Sequence, residues 1–188
     1  MRGTPNKSLS YDEMLFLSLY EKYLGTRYQL REDNRDRDNI SRDHIQAQKI
    51  GYTLTLQGIL NKYCFSWNRR GPFSSKFQEM LIGLDSRPEL LESYYNNDAQ
   101  KALTELLPEC ILTTVHETSD GLNKYMSENK DEDALELLGS LLYIGTTVLP
   151  GQDFAQVNAE LQWRKSTFND ISKNYLAWEY LHELNLIT

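Results

Sequence analysis

"FSWNRRGPFSSKFQEML", Phe65 to Leu81, carries the signals that decide the fold. Its start belongs to the run Lys62–Trp67, where Tyr63, Phe65 and Trp67 point one way and Cys64 and Ser66 the other. That period of two marks a short, half-buried strand. "NRRGP" then turns the chain, because Gly71 tolerates dihedrals closed to other residues and Pro72 fixes the next φ. Ser75 followed by Gln78 is a capping-box pattern. Phe77, Met80, Leu81 and Leu84 form the apolar face of the helix it opens. The stretch reads as strand, rigid corner and capped helix, with Gly71, Pro72, Ser74 and Ser75 as the structural corner. Four basic residues, Lys62, Arg69, Arg70 and Lys76, gather around it.

Working outward, Asp43–Gly58 has two apolar stripes at helical spacing. Ala47, Ile50 and Leu54 share one side; Ile45, Tyr52 and Leu56 share the other. A surface helix has one stripe, so two predict a central helix packed between layers. Gly51, between the stripes, permits a close helix crossing. Tyr11–Leu24 predicts a buried helix with Ser10 as cap and Gly25 as stop. The segment 27–43 alternates charges of both signs with few apolar groups, which predicts an exposed charged loop. Residues 1–10 are polar and predicted disordered; 11–188 is expected to form a single helical domain.

Downstream, Pro88 sits near the first turn of a short helix. Pro108 interrupts the pattern from Asp98 to Glu117, predicting a kink or two helices. Asp120-Gly121 reads as a break. The acids opening the run from Asp131, Asp131 and Asp133 among them, suit a helix dipole. In that run Leu138, Leu141, Leu142 and Leu149 form an apolar face, and Pro150-Gly151 ends it. Two amphipathic helices follow, the last with Ile171, Tyr175, Trp178 and Leu181 as its buried side. Tyr52, Leu56, Phe65, Phe77, Leu141 and Trp178 are the predicted core.

The chain has 188 residues, 40% hydrophobic and 25% charged, with a formal net charge of -7. That is enough apolar surface for a core without staples. The acidic total argues against general nucleic-acid binding, which phosphate attraction dominates. Cys64 and Cys110 fit no metal or redox spacing and read as buried thiols in a reducing cytoplasm. No run reaches membrane-spanning length and the N-terminus lacks an apolar signal core, so the expected location is cytoplasmic, away from membranes. His44, His116 and His182 have no second ligand at metal spacing. No Gly-rich phosphate loop and no nucleophile–base spacing occur. The reading is therefore non-enzymatic, with no catalytic residue, metal or cofactor expected.

"IQAQKIGYTL", Ile45–Leu54, followed by the corner stretch, is similar to the pattern "LQKxxYLL … FxxYGPYSxxLxxDL" of the YwgA-like proteins. More distantly it resembles the SocA-like Panacea domain of antitoxins. "ALELLGSLLYI" and then "WRKSTFNDISKNYLAWEYL" resemble the later part of the YwgA-like pattern, ending "KPxFxxxxIxxAWxxL". The departures are Ala47 and Gly51 in the central helix, Arg70 where an aromatic often precedes Gly-Pro, Lys165-Ser166 for Lys-Pro, and the charged segment 27–43. The resemblance implies a mainly α, compact domain with a short strand or wing and a winged-helix-like corner. It implies an antitoxin-like accessory protein with a partner encoded in the same operon; the reading is a non-catalytic accessory protein, antitoxin-like or an antiviral-defence component, that binds and regulates a protein partner. Trp67, Arg69, Arg70 and Phe73 are the candidate partner-binding residues, since arginine is favoured at interface centres. A winged-helix-like DNA-binding regulator is the alternative.

Overall fold

The computed structural model describes residues 8–24, 27–28, 42–96, 108–129 and 133–187. The fold is mainly α. Among the described residues there are eight α-helices and one two-stranded antiparallel sheet. Helix α1 (Tyr11–Leu24) is buried on nearly every side. The Ser10 hydroxyl accepts from the Glu13 N–H at 3.4 Å, and the Ser10 N–H donates to the Glu13 carboxylate at 2.7 Å, a complete capping box. Ser10 and half-buried Leu9 therefore belong to the fold rather than to a disordered N-terminus; residues 1–7 lie outside the described residues.

Helix α2 (Arg42–Leu56) is the central helix, with every residue from Ala47 to Leu54 buried. Helix α1 and helix α6 (Ala134–Tyr143) lie against different faces of it; α5 (Glu109–Glu128) covers α1, and α8 (Ile171–Glu183) covers α6. Strand β1 (Ser66–Asn68) pairs with β2 (Gly71–Phe73), and the hairpin packs on α2 and α6. Helix α3 (Ser75–Asp85) leads into α4 (Pro88–Asn96). Helix α6 runs into one π-helical stretch, Ile144–Val148, where the Thr146 and Thr147 hydroxyls both meet the Tyr52 hydroxyl, at 2.7 and 2.8 Å. Helix α7 (Phe154–Arg164) and α8 are each opened by an aspartate, Asp153 and Asp170, that accepts from a backbone N–H three residues on.

Phe77 is the hub of the core. A Cβ on Gly51 would stand 2.6 Å from its ring, so α3 crosses α2 where α2 has no side chain. The ring then meets Phe16 and Tyr63 edge-on, with centroids 5.2 and 5.0 Å apart.

Several expectations are corrected. The strand is not Lys62–Trp67 but Ser66–Asn68, because only those residues face a partner strand across the turn. Leu56 ends α2 beyond the packing of α6 and is 41% exposed, while Phe65 is only half-buried. Ile171 and Tyr175 are exposed: α8 turns Asn174, Ala177, Trp178 and Leu181 inward, because Asn174 donates to the Asn158 side chain and the Phe168 carbonyl. Asp120-Gly121 does not break α5. Gly121 instead gives room to Leu184, whose Cδ2 would lie 2.0 Å from a Cβ there. Both cysteines are exposed, Cys110 in the first turn of α5 and Cys64 on the outer side of its extended run. Pro108 stands immediately before α5, and the first half of that predicted kink lies outside the described residues, as do the Gly25 stop and residues 29–41 of the charged segment. Within 27–43, Tyr28 is buried, not exposed, and Arg42 and Asp43 belong to α2.

Truncating Phe77 to Ala is expected to cost about 3–5 kcal/mol, read from urea unfolding. A midpoint equal to wild type would mean that the Gly51–Phe77 crossing does not hold the core.

Candidate functional site

The corner is a hairpin whose two-residue tip is Arg69-Arg70. Neither arginine has a positive φ; the left-handed residue is Gly71, at φ +88°. A Cβ at Gly71 would be strained by that dihedral and would also lie 2.8 Å from Ser140 Oγ and 3.3 Å from Lys49 Nζ. Pro72, buried beside it, turns its carbonyl to Lys49, whose Nζ donates at 3.1 Å. The Lys49 stem reaches that point by crossing α6 at Gly139, where a Cβ would stand 2.7 Å from Lys49 Cδ. Lys49 occupies the middle of the stripe Ile45, Tyr52 and Leu56. Burial pushes its pKa down to about 7, with Lys165 adding repulsion, Glu136 opposing and Arg70 repelling further.

Ser74, not Ser75, caps α3: its Oγ accepts from the Phe77 N–H at 3.3 Å. With Ser74 as the cap, Phe77 takes the third helical position, so no capping box forms and Gln78 is left to tertiary partners. The Ser74 N–H donates to Gln48 Oε1 at 2.9 Å, and Gln48 Nε2 donates to Gln78 Oε1 at 3.2 Å. Gln78 Nε2 meets His44 Nδ1 at 2.7 Å, and His44 Nε2 meets Asp85 at 2.8 Å. Tyr28 donates its hydroxyl to the same Asp85 carboxylate at 3.0 Å. This Asp85–His44 pair has the outline of a catalytic dyad, but both imidazole nitrogens are engaged and the next group is an amide. The row therefore seats the cap on α2 rather than relaying a proton.

The arginine tip borders an open cleft of about 330 Å³, closed on its far side by the connection between α7 and α8. Arg69, Arg70, Arg164 and Lys165 line it, with Asp133 and Glu136. Lys165 is buried and donates to Glu136 at 2.7 Å, while Arg70 reaches the other Glu136 oxygen at only 3.9 Å. Burial lowers the Lys165 pKa despite that carboxylate. Arg164 is held by Glu160 at 2.6 Å and lies over the Trp67 ring, 4.9 Å from its centroid. Ser166, Thr167 and Phe168 complete the wall.

Of the predicted partner-binding residues, the structure brings Arg69 and Arg70 into the cleft. Half-buried Trp67 stands behind, as a platform for Arg164 and Lys165 and against Tyr143. Phe73 is half-buried at the base of the hairpin, opposite Ser66, and does not line the cleft. The expected basic group at the corner is also different. Lys62 is drawn to Asp12 of α1 at 2.5 Å, and exposed Lys76 stays outside the cleft. Arg164 and Lys165 take their places, and the signal for them was the "WRKS" that ends α7. No group of three His, Cys, Asp or Glu side chains able to hold a metal occurs among the described residues, and no described helix is long and apolar enough to cross a membrane.

Gly71→Val is expected to lower the melting temperature clearly, since it combines a left-handed dihedral with a clash against Ser140; an unchanged melt would mean that the hairpin is not seated on α6. Lys49 offers a second test. Its folded pKa of about 7 lies below the ordinary value of 10.5, so the unfolded chain binds more protons between those limits. This group's contribution to stability therefore rises with pH above about 7, and its full cost is present below pH 7. Lys49→Met is expected to be more stable than wild type by about 1–4 kcal/mol near pH 6, with the difference shrinking by pH 9 in paired denaturant titrations. A pH-independent difference would contradict a buried, proton-linked Lys49.

No family model, curated protein or solved structure matches the chain.

Proposed function

We propose that the protein is a non-catalytic accessory module that docks a partner protein through the hairpin corner and its cleft. One observation carries the reading. On a chain of net charge -7, four cations face two carboxylates around one cleft, and Lys165 and Arg70 share one of those carboxylates. Like charges are not gathered this way without cost, and arginine is the residue favoured at desolvated interface centres. The seating of the hairpin on α2 and α6 favours docking further, because a pre-organised surface loses less entropy on binding. The resemblance to YwgA-like and Panacea proteins supplies the accessory role, that of an antitoxin-like or antiviral-defence component acting in the cytoplasm.

A winged-helix-like DNA-binding regulator is the second reading, favoured by an arginine-tipped hairpin directly before a capped helix. It ranks lower because the exposed side of α3 presents Lys76, Glu79 and Ile82, one base, one acid and one apolar group, rather than a basic face.

Arg69→Glu combined with Arg70→Glu is expected to leave the circular-dichroism melt unchanged and to weaken binding to a partner isolated from the native host by at least about 2 kcal/mol. Wild-type affinity in this variant would remove the docking role from the corner. Salt-dependent binding of a DNA duplex by the wild type, lost in the variant, would move the assignment to the second reading.

A further inference from the structure

We propose that the group this cleft receives is a phosphate monoester dianion. The inference rests on reading the corner as a docking face and names the chemistry that it recognises. The lining offers donors of several kinds at once. Arg69 has no carboxylate partner among the described residues, and Arg70 holds Glu136 only at 3.9 Å, so both guanidinium forks are available to an incoming anion. Lys165 brings a buried ammonium to the floor, with the Phe168 ring 5.3 Å away. The wall beside it is a turn closed by the Phe168 N–H on the Lys165 carbonyl at 3.1 Å. Within that turn Ser166 and Thr167 are exposed, line the cleft, and have no backbone partner for their N–H groups among the described residues. Two forks, two hydroxyls and an ammonium that has protons to spare beyond its bond to Glu136 exceed what a planar carboxylate with two oxygens can use. They suit a tetrahedral group with three free oxygens and two negative charges.

The charge count agrees. With Arg164 paired to Glu160, three cations face two carboxylates in the lining, an excess of positive charge that favours an anion. Glu160 neutralises Arg164 from outside the cleft and fixes it on Trp67, so Arg164 serves as a positioned wall more than as a free ligand. A volume of about 330 Å³ takes a phosphate with the first atoms of whatever carries it. The carrier is either a phosphorylated side chain of a protein or a small molecule such as a nucleoside monophosphate; the shared chemistry is the monoester.

The test is calorimetric titration of the full chain at physiological salt with four probes: inorganic phosphate, a phosphoserine peptide, adenosine monophosphate, and the same peptide with glutamate for phosphoserine. The proposal expects the phosphate-bearing probes to bind and the glutamate peptide to bind at least about tenfold more weakly, the worth of one charge-assisted contact. Arg69→Glu with Arg70→Glu should abolish phosphate binding, and Thr167→Glu, at an exposed position, should weaken it by a similar factor with an unchanged melt. A tighter phosphopeptide assigns the source to a protein and a tighter mononucleotide to a small ligand; either outcome supports the site. Equal affinity for the glutamate peptide, or no heat with any phosphate probe, overturns it. The docking reading fails separately. If phosphate binds but the double arginine variant keeps its protein partner, the docking role falls and the phosphate site stands. If the variant loses its partner while no phosphate probe binds the wild type, the reverse holds.

Discussion

The bond from Lys49 Nζ to the Pro72 carbonyl is the point on which the site depends. It joins three elements that are distant in sequence. The lysine belongs to the central helix, its stem lies across Gly139 of α6, and its nitrogen lies against Gly71 and Pro72 of the hairpin. Each neighbour is as small as it can be at the contact. A side chain at Gly139 would displace the stem, and one at Gly71 would displace the nitrogen or Ser140. A buried lysine with one hydrogen-bond acceptor destabilises the fold when protonated, which is why its pKa is driven down to about 7. What the molecule gains is a hairpin fixed in one orientation, with the arginine tip pointing over the cleft.

The polar row from Ser74 to Asp85 works with that bond. It ties the first turn of α3 to the side of α2 through Gln48 and Gln78, so the hairpin and the helix after it are anchored on the same buried helix. No buried side-chain nitrogen or oxygen lacks a partner among the described residues, as a row of this kind requires if it is to stiffen the core instead of weakening it. The result is a surface with little to rearrange on binding. Arg164 over Trp67, itself against Tyr143, extends that rigidity to the opposite wall of the cleft.

How much of this was legible in the sequence follows from the range of each signal. The corner was readable because its signals are local: a glycine that must be left-handed, a proline after it, and an apolar face at Phe77, Leu81 and Leu84. The central position of α2 was readable from its two stripes. Ser74 and Ser75 both read as caps; the Ser75–Gln78 capping box does not form, because Ser74 opens the helix one residue earlier and Gln78 turns to tertiary partners that no local pattern shows. Apolar periodicity gives Lys49 no weight, although a lysine at the centre of one stripe is itself the anomaly that points to the site. The inward face of α8 was misjudged for a related reason. Asn174 is carried inside by its bonds to Asn158 and the Phe168 carbonyl, and apolar periodicity gives it no weight. Arg164 and Lys165 stand in the sequence as the adjacent basic pair of "WRKS", but only the packing of α6 and α7 brings them opposite Arg69 and Arg70.

A buried Lys49 seated beneath the hairpin holds the corner, and site-resolved titration of its side chain by NMR tests that directly. The prediction is loss of the ammonium proton at a pH of about 7. Titration in the ordinary lysine range, around 10.4, would mean a solvated amine and a hairpin not held on the core, and would contradict the account.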